Sequence, residues 1–337
     1  MAKLNYITRV VSGMHYKQLF KTVAEIHNKS KKNSIFIFFD MIWCAFRYGA
    51  GYNDYKIFAF YNMKGKNRNT YVTRIRNKKI IMLLNDQKYS NIIDEKNLFD
   101  KRFKKYLKRD IIDLDETSLK EFEKFMENKK EVFCKPFNLD SGRGIEKLQK
   151  KDFKSLKAMY NYLKSKNLRM IEEVIIQHKD MNKLYPQAIN CLRIVTIVID
   201  GKPIIVYAVS KCGTGGHYLD NTGFEGIFAP VDLETGKINA LAYSEHTEKT
   251  YVVHPDTKVK FEGFQIPYFN EIKQLVYEAA LEVPEVKYVG WDVFISPDGP
   301  GLIEGNDYPD YAFWQLPVHN KTQIGLMPFY KQKLPKL

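Results

Sequence analysis

Three oxygen-bearing side chains stand close together late in the chain: Asp292, Glu304 and Asn306, in the stretch Gly290-Trp-Asp-Val-Phe-Ile-Ser-Pro-Asp-Gly-Pro-Gly-Leu-Ile-Glu-Gly-Asn306. The stretch reads as two apolar strands joined at a Pro/Gly turn over residues 297–301, a hairpin pattern. Positions i and i+2 of a strand share a face, so Glu304 and Asn306 project together, and Asp292 on the partner strand can reach the same side. Two carboxylates and an amide oxygen suit Mg²⁺, which takes hard oxygen donors and leaves room for water and phosphate. On these residues alone, a solvated polar strand face competes on even terms.

A second constellation lies upstream, Val132-Phe-Cys-Lys135-Pro-Phe-Asn-Leu-Asp-Ser141-Gly142-Arg-Gly144-Ile145. An apolar strand delivers a lysine, and a loop with two glycines, a serine and an arginine follows. Glycines let backbone N–H groups turn toward an anion, and a lysine at the strand end adds a point charge for the same phosphates. No Gly-Lys-Ser/Thr and no Gly-x-Gly-x-x-Gly is present at this loop. By itself such a glycine hairpin is also an ordinary turn.

Taken together, the two constellations resemble the ATP-grasp superfamily and, more closely, the sugar-transfer-associated ATP-grasp family, found near polysaccharide-biosynthesis genes. The resemblance continues in Met170-Ile-Glu172-Glu173-Val174-Ile-Ile-Gln177-His178, which looks like the hinge strand lining an adenine pocket. Asn190-Cys-Leu-Arg193 looks like the strand whose arginine meets the terminal phosphate, and Asp94-Glu-Lys96-Asn-Leu-Phe99 like the segment with the other nucleotide lysine. Phe39-Asp40 through Tyr55 and Arg68-Asn-Thr-Tyr71 fit the N-terminal region of the family. The similarity spans roughly residues 35–325, and order and spacing carry it rather than any one motif.

The resemblance implies an ATP-dependent carboxylate–amine ligase: a carboxylate attacks the γ-phosphate and an amine captures the acyl phosphate. Asp292, Glu304 and Asn306 would hold Mg²⁺ or Mn²⁺. Lys96 and Lys135, with Ser141, Gly142 and Gly144 as a phosphate lid, would bind the nucleotide. The backbone of Glu173 and Val174 would meet adenine, and Glu172 would either hold ribose or pair with a lysine. Gln177-His178 stands where many relatives carry a ribose-binding acid. Arg193 inside an apolar strand is costly unless paired, which fits a role at the γ-phosphate. Lys211, in the Gly-rich segment Ser210 to Asn221 with His217, would help hold the phosphoryl group in transfer. The same segment, and Asp307 and Asp310 beside Tyr308 and Tyr311, are candidates for the second substrate, which the sequence leaves unnamed. The family association points to bacterial surface polysaccharide or capsule synthesis, with a sugar-linked carboxylate or amine as substrate. A phosphotransferase acting on a sugar hydroxyl and a non-catalytic nucleotide-binding partner of glycosyltransferases are the alternatives.

Bulk properties narrow the class. With 337 residues, 45% of them hydrophobic, the chain is long enough for two or three packed subdomains. Cys44, Cys134, Cys191 and Cys212 have neither CxxC nor disulfide-framework spacing, and the seven histidines have no ligand spacing, so zinc is not expected. The net charge of +14 is concentrated in the first half, as in Lys101-Arg-Phe-Lys-Lys-Tyr-Leu-Lys-Arg109. Lysine-rich solvated helices explain most of this. The aromatic and basic mix near residues 35–60 also suits contact with a membrane surface. No groove-reading or base-stacking module is recognisable, so nucleic acid is not an expected partner. No apolar run is long enough to span a bilayer and no signal-peptide core is present, so the expectation is a cytoplasmic enzyme, allowed to sit peripherally at the inner face of the membrane.

The elements that must position these residues follow from pattern. The fold class expected is α+β: an ATP-grasp fold of two α+β subdomains clasping ATP, behind an N-terminal leader. The boundaries expected are 1–95, 96–185 and 186–337. A helix is read over 14–28, strands near 57–62 and 80–84, and helices over 96–109 and 116–128, the latter opened by a Ser118/Glu121 capping box. Strand, glycine loop and strand occupy 132–148, then a helix at 152–166 and the hinge strand at 170–177. Strands at 192–199, 203–210 and 226–232 and a helix at 269–282 lead into the hairpin.

Overall fold

The computed structural model describes residues 16–136, 146–216, 226–335 and 337. The chain divides into two compact units, Met1–Ile80 with Tyr311–Leu337, and Ile81–Asp310.

The first unit is helical. Helix α1 spans Tyr16–Ser30, α2 Ser34–Tyr48, α3 Tyr52–Ile57 and α4 Gly65–Arg68. Asn33 caps α2 by accepting from the Ile35 and Phe36 amides, and Gly49 ends it in the left-handed conformation (φ 63°) that glycine adopts without penalty. The unit is tied by two acids, Asp54 buried and Asp40 partly so. Asp40 takes a two-pronged bond from Arg68 at 2.7 and 2.8 Å and a third from the Tyr55 hydroxyl at 2.7 Å. Asp54 accepts from the Gly51 and Arg74 amides and from the Tyr311 hydroxyl. Burial pushes the Asp54 carboxyl upward, and these donors work against that.

Two sequence expectations fail near this region. The run 57–62 is no strand: Ala59 is left-handed (φ 51°) and Phe60–Asn62 form a single 3₁₀ turn. The run 80–84 closes helix α5, Arg74–Leu84. Its buried positions, Asn77, Ile80, Ile81 and Leu84, follow helical spacing, which a short apolar run conceals.

The second unit carries two antiparallel sheets. Short helices α6 (Asn91–Asp94), α7 (Lys96–Arg102) and α8 (Lys104–Leu107) precede strand β1 (Ile111–Asp113). The single helix expected over 96–109 is thus two, divided at Phe103 and stopped by Lys108 at φ 50°. Helix α9 (Leu119–Phe125) opens with the Ser118/Glu121 capping box read from sequence. Strands β2 (Glu131–Pro136) and β3 (Glu146–Gln149), helix α10 (Leu156–Ser165) and strand β4 (Leu168–Glu173) complete a four-stranded sheet in the order β1-β4-β2-β3. Helices α9 and α10 cover it through Phe122, Met126, Met159 and Leu163. The hinge strand ends at Glu173, four residues earlier than expected, and helix α11 follows at Lys179–Leu184.

The larger sheet has seven strands in the order β11-β10-β5-β6-β7-β8-β9. These are β5 (Leu192–Ile199), β6 (Lys202–Cys212), β7 (Ile227–Val231), β8 (Ala242–Tyr243), β9 (Thr250–Tyr251), β10 (Tyr288–Ser296) and β11 (Gly299–Asn306). The β5–β6 turn uses Asp200 (φ 49°) and Gly201 (φ 72°), two consecutive left-handed residues as tight hairpins require. Helix α12 (Phe269–Ala280) buries Ile272, Val276 and Ala279 in the core of this sheet. At the start of β10 the Asn85 amide behaves like an extra peptide unit. It accepts from the Tyr288 N–H at 2.8 Å and donates to the carbonyls of Tyr288 and Asp307, both at 2.9 Å.

Candidate active site

The site is assembled by strand register. In β5–β10 pairing Arg193 lies opposite Asp292, and in β10–β11 pairing Asp292 lies opposite Glu304. Directly opposed residues share a face, so the three form a row across adjacent strands. Asn306 joins the same face two residues beyond Glu304. Between them Gly305 faces the other way, where an added Cβ would come within 2.9 Å of Ile93 and 3.0 Å of Phe99. The Glu-Gly-Asn order therefore keeps two polar groups on one face while α6 and α7 pack close on the other.

Charge balance within the row is uneven. The Arg193 guanidinium donates to Asp292 through both Nε and Nη2, the latter at 3.0 Å, and Lys211 Nζ on β6 donates to the same carboxylate at 3.3 Å. Burial alone would raise the Asp292 carboxyl. The two cations reverse that and hold it below the usual carboxylate range. Glu304 goes the other way: burial first, and the Asp292 charge beside it second, raise its carboxyl above the ordinary value. Asn306 Nδ2 donates to the Gly290 carbonyl at 3.5 Å, which leaves its amide oxygen facing away from that bond.

A second charged cluster sits on the smaller sheet. Lys135 on β2 and Glu172 on β4 form an ion pair at 2.5 Å, and Arg109 approaches the other Glu172 oxygen at 3.4 Å. Burial opposes ionisation of Glu172, but the Lys135 and Arg109 charges prevail and set its carboxyl at about 2. Glu172 is thus paired with a lysine in this structure, one of the two readings open for it in the sequence. Asp100 on α7 is pushed up to about 7, by burial first and then by the Glu172 charge, with Arg109, Lys135 and Lys96 pulling the other way. Lys96, at the start of α7, therefore belongs to the same electrostatic group as Lys135. Arg109 also spans the two sheets, donating to the carbonyls of Leu302 and Ile303 on β11, one residue before Glu304.

Neighbouring residues of the hinge segment have partners of their own. The Glu173 N–H already donates to the Asp110 carbonyl, and its carboxylate accepts from the Asp110 amide at 3.0 Å. Gln177 is buried, donating to the carbonyls of Tyr185 and Ala188 and to Asn182, so it braces the loop ahead of β5. His178 caps α11 through Nδ1. Ser141, Gly142, Gly144 and His217 lie outside the described residues. Among the described residues no group of three or more His, Cys, Asp or Glu side chains is gathered as a metal cage. The four cysteines are buried and unbridged. Sequence reasoning missed Arg109 and Asp100. Asp100 stands one helical turn after Lys96, a spacing that was legible. Arg109 was hidden as the last residue of a basic run that otherwise points to solvent.

A family model described as sugar-transfer associated ATP-grasp matches residues 75–326. No curated protein matches the chain. Among solved structures it is similar to the ATP-grasp ligase PsnB complexed with minimal precursor, at 15% identity over 68% of this chain and 55% of that one, TM-score 0.40. It is also similar to N5-carboxyaminoimidazole synthase from Aspergillus clavatus, at 10% identity over 64% and 44% of the two chains, TM-score 0.38. The D-alanine-D-alanine ligase from Coxiella burnetii matches at 11% identity over 66% and 50%, TM-score 0.36. The chain thus spans about half the length of these proteins.

Proposed function

We propose, from the premise that this chain belongs to the sugar-transfer associated ATP-grasp family, that it is an ATP-dependent carboxylate–amine ligase acting on a sugar-linked substrate in surface-polysaccharide synthesis. The observation that supports this reading best is the Arg193–Asp292–Glu304 row, fixed by register across three strands. Asp292 is paired with Arg193 and Lys211, but the second carboxyl beside it, Glu304, is disfavoured by that arrangement, and a bound cation would relieve it.

The donor set fits a divalent cation. Desolvation first and the Asp292 charge second raise the Glu304 carboxyl, and a bound cation would offset both penalties. Glu304, Asn306 and Asp292 would hold it, Asp292 with the lone pairs its cationic partners leave over. When bound, Mg²⁺ or Mn²⁺ neutralises charge on the phosphate oxygens. Lys135 and Lys96 supply fixed positive charge for the nucleotide phosphates. Arg193, held in orientation by two bonds to Asp292, presents its remaining N–H groups to the γ-phosphate. Lys211 shares the Asp292 carboxylate and takes up charge as the phosphoryl group moves. In the reaction proposed, a substrate carboxylate oxygen bonds to the γ-phosphorus as the bond to ADP breaks. The amine nitrogen then bonds to the acyl carbon, with release of phosphate and a proton.

Hydroxylamine trapping tests this with MgATP and a panel of amino acids, uronic acids and nucleotide-linked uronates. A hydroxamate formed with ADP, and reduced about 10²–10³-fold in Glu304→Ala, is the expected outcome. ADP with a phosphorylated sugar and no hydroxamate would replace the ligase reading with a phosphotransferase.

A further inference from the structure

Helix α2 is apolar on two opposite faces, and only one of them is buried. Ile37, Met41, Cys44 and Tyr48 pack inward. Ile35, Phe36, Phe39, Trp43 and Phe46 are exposed, with Ile35, Phe39 and Trp43 at 68%, 64% and 58%. At about 100° of rotation per residue, these five fall within an arc of about 100° on the far side of the helix. The patch continues onto α1, where exposed Phe20 stacks on Phe38 at 5.8 Å and Phe38 in turn meets Phe39 edge-on at 5.4 Å. Isolated exposed apolar residues are ordinary, but a continuous aromatic stripe of this kind marks an interaction face.

The charges on the same two helices and the turn between them indicate what it meets. Lys17, Lys21, Lys29, Lys31 and Arg47 are exposed. The only acids between residues 16 and 48, Glu25 and Asp40, are paired with Lys56 and Arg68. The field around the stripe is therefore positive. Aromatic side chains with a cationic surround are the composition of helices that lie in a bilayer interface, rings at headgroup depth and lysines on anionic lipid. No described helix is long and apolar enough to cross a membrane, which fits a helix lying along the surface. A second copy of this chain would bring the same cations face to face, a charge clash that disfavours the alternative of a self-made dimer.

We propose that the exposed face of α2, extended by Phe20 of α1, docks this protein on an anionic membrane surface. The proposal does not depend on the ligase reading. Flotation of the full chain with phosphatidylcholine vesicles, with and without phosphatidylglycerol, tests it directly. Binding is expected only when phosphatidylglycerol is present, and Phe39→Ser/Trp43→Ser is expected to weaken it about tenfold or more. Both side chains are largely solvent-exposed, so thermal melting should confirm an intact fold in that variant. Lys17→Glu/Lys21→Glu should weaken binding too, and binding of the unaltered chain should fall with added salt. Any of three results overturns the proposal: no flotation with phosphatidylglycerol, equal flotation of the serine variant, or sedimentation as a dimer that the serine variant dissolves.

Discussion

The two buried charge clusters of the second unit differ in one respect. On the small sheet Glu172 faces Lys135 and Arg109 and is held at about 2, while Asp100 beside it is pushed up to about 7. On the large sheet Asp292 absorbs both Arg193 and Lys211, and its neighbour Glu304 is left with a raised carboxyl. The first cluster has cation to spare and is suited to receive phosphate. In the second, both cations are drawn to Asp292, which leaves Glu304 as the carboxyl proposed for the metal. Under the proposed function, a nucleotide with its bound divalent ion would meet both clusters at once.

The largest effect should come from removing the guanidinium that holds the second cluster together. Arg193→Met leaves Asp292 to Lys211 alone, and breaking a buried pair in this way costs about 3–5 kcal/mol. Urea unfolding should show that loss, and a smaller one in Arg109→Met, because Arg193 grips Asp292 with two nitrogens whereas Arg109 reaches Glu172 by a single contact at 3.4 Å. Equal losses would erase the contrast. Next in size, Lys135→Ala should weaken ATP binding about 10- to 100-fold, the scale of one charge-assisted contact, as read by calorimetric titration. Its effect on stability should be modest because Arg109 remains.

The smallest effect is a contrast in pH dependence. Glu172 binds fewer protons folded than unfolded between its ordinary value of 4.5 and about 2. Its stabilisation is therefore present above that window and lost as pH falls through it. Glu304 is raised, so the folded state keeps a proton the unfolded state has released, and stability declines as pH rises through its window. Glu172→Gln should blunt the acid limb of a melting-temperature profile, while Glu304→Gln should flatten the decline at higher pH. Profiles that change on the same side would break the distinction.

Much of this arrangement was legible before any fold was known. The hairpin's turn residues and alternating pattern put Glu304 and Asn306 on one face, and the capping box at Ser118 located α9. Registers such as Arg193 opposite Asp292 were out of reach, because strands a hundred residues apart carry no local signal of who pairs with whom. The same limit hid Arg109, whose partners on β4 and β11 come from two different sheets. The false strands at 57–62 and 80–84 had another cause. Short apolar runs look alike in both periods, and long-range packing of Ile80, Ile81 and Leu84 decided for helix.

Asn85 gives the site a place in time. Its bonds to Tyr288 and Asp307 join residues 203 and 222 positions apart. During synthesis Asn85 emerges early and waits for a partner that the ribosome delivers some two hundred residues later. Contacts of such separation close late, after the entropy of the intervening chain has been overcome. The hairpin that carries Glu304 and Asn306 is thus anchored only when the rest of its unit is already made. Arg109 of the first cluster reaches the same late strand, through the Leu302 and Ile303 carbonyls, so both clusters are completed by the last strand to be made.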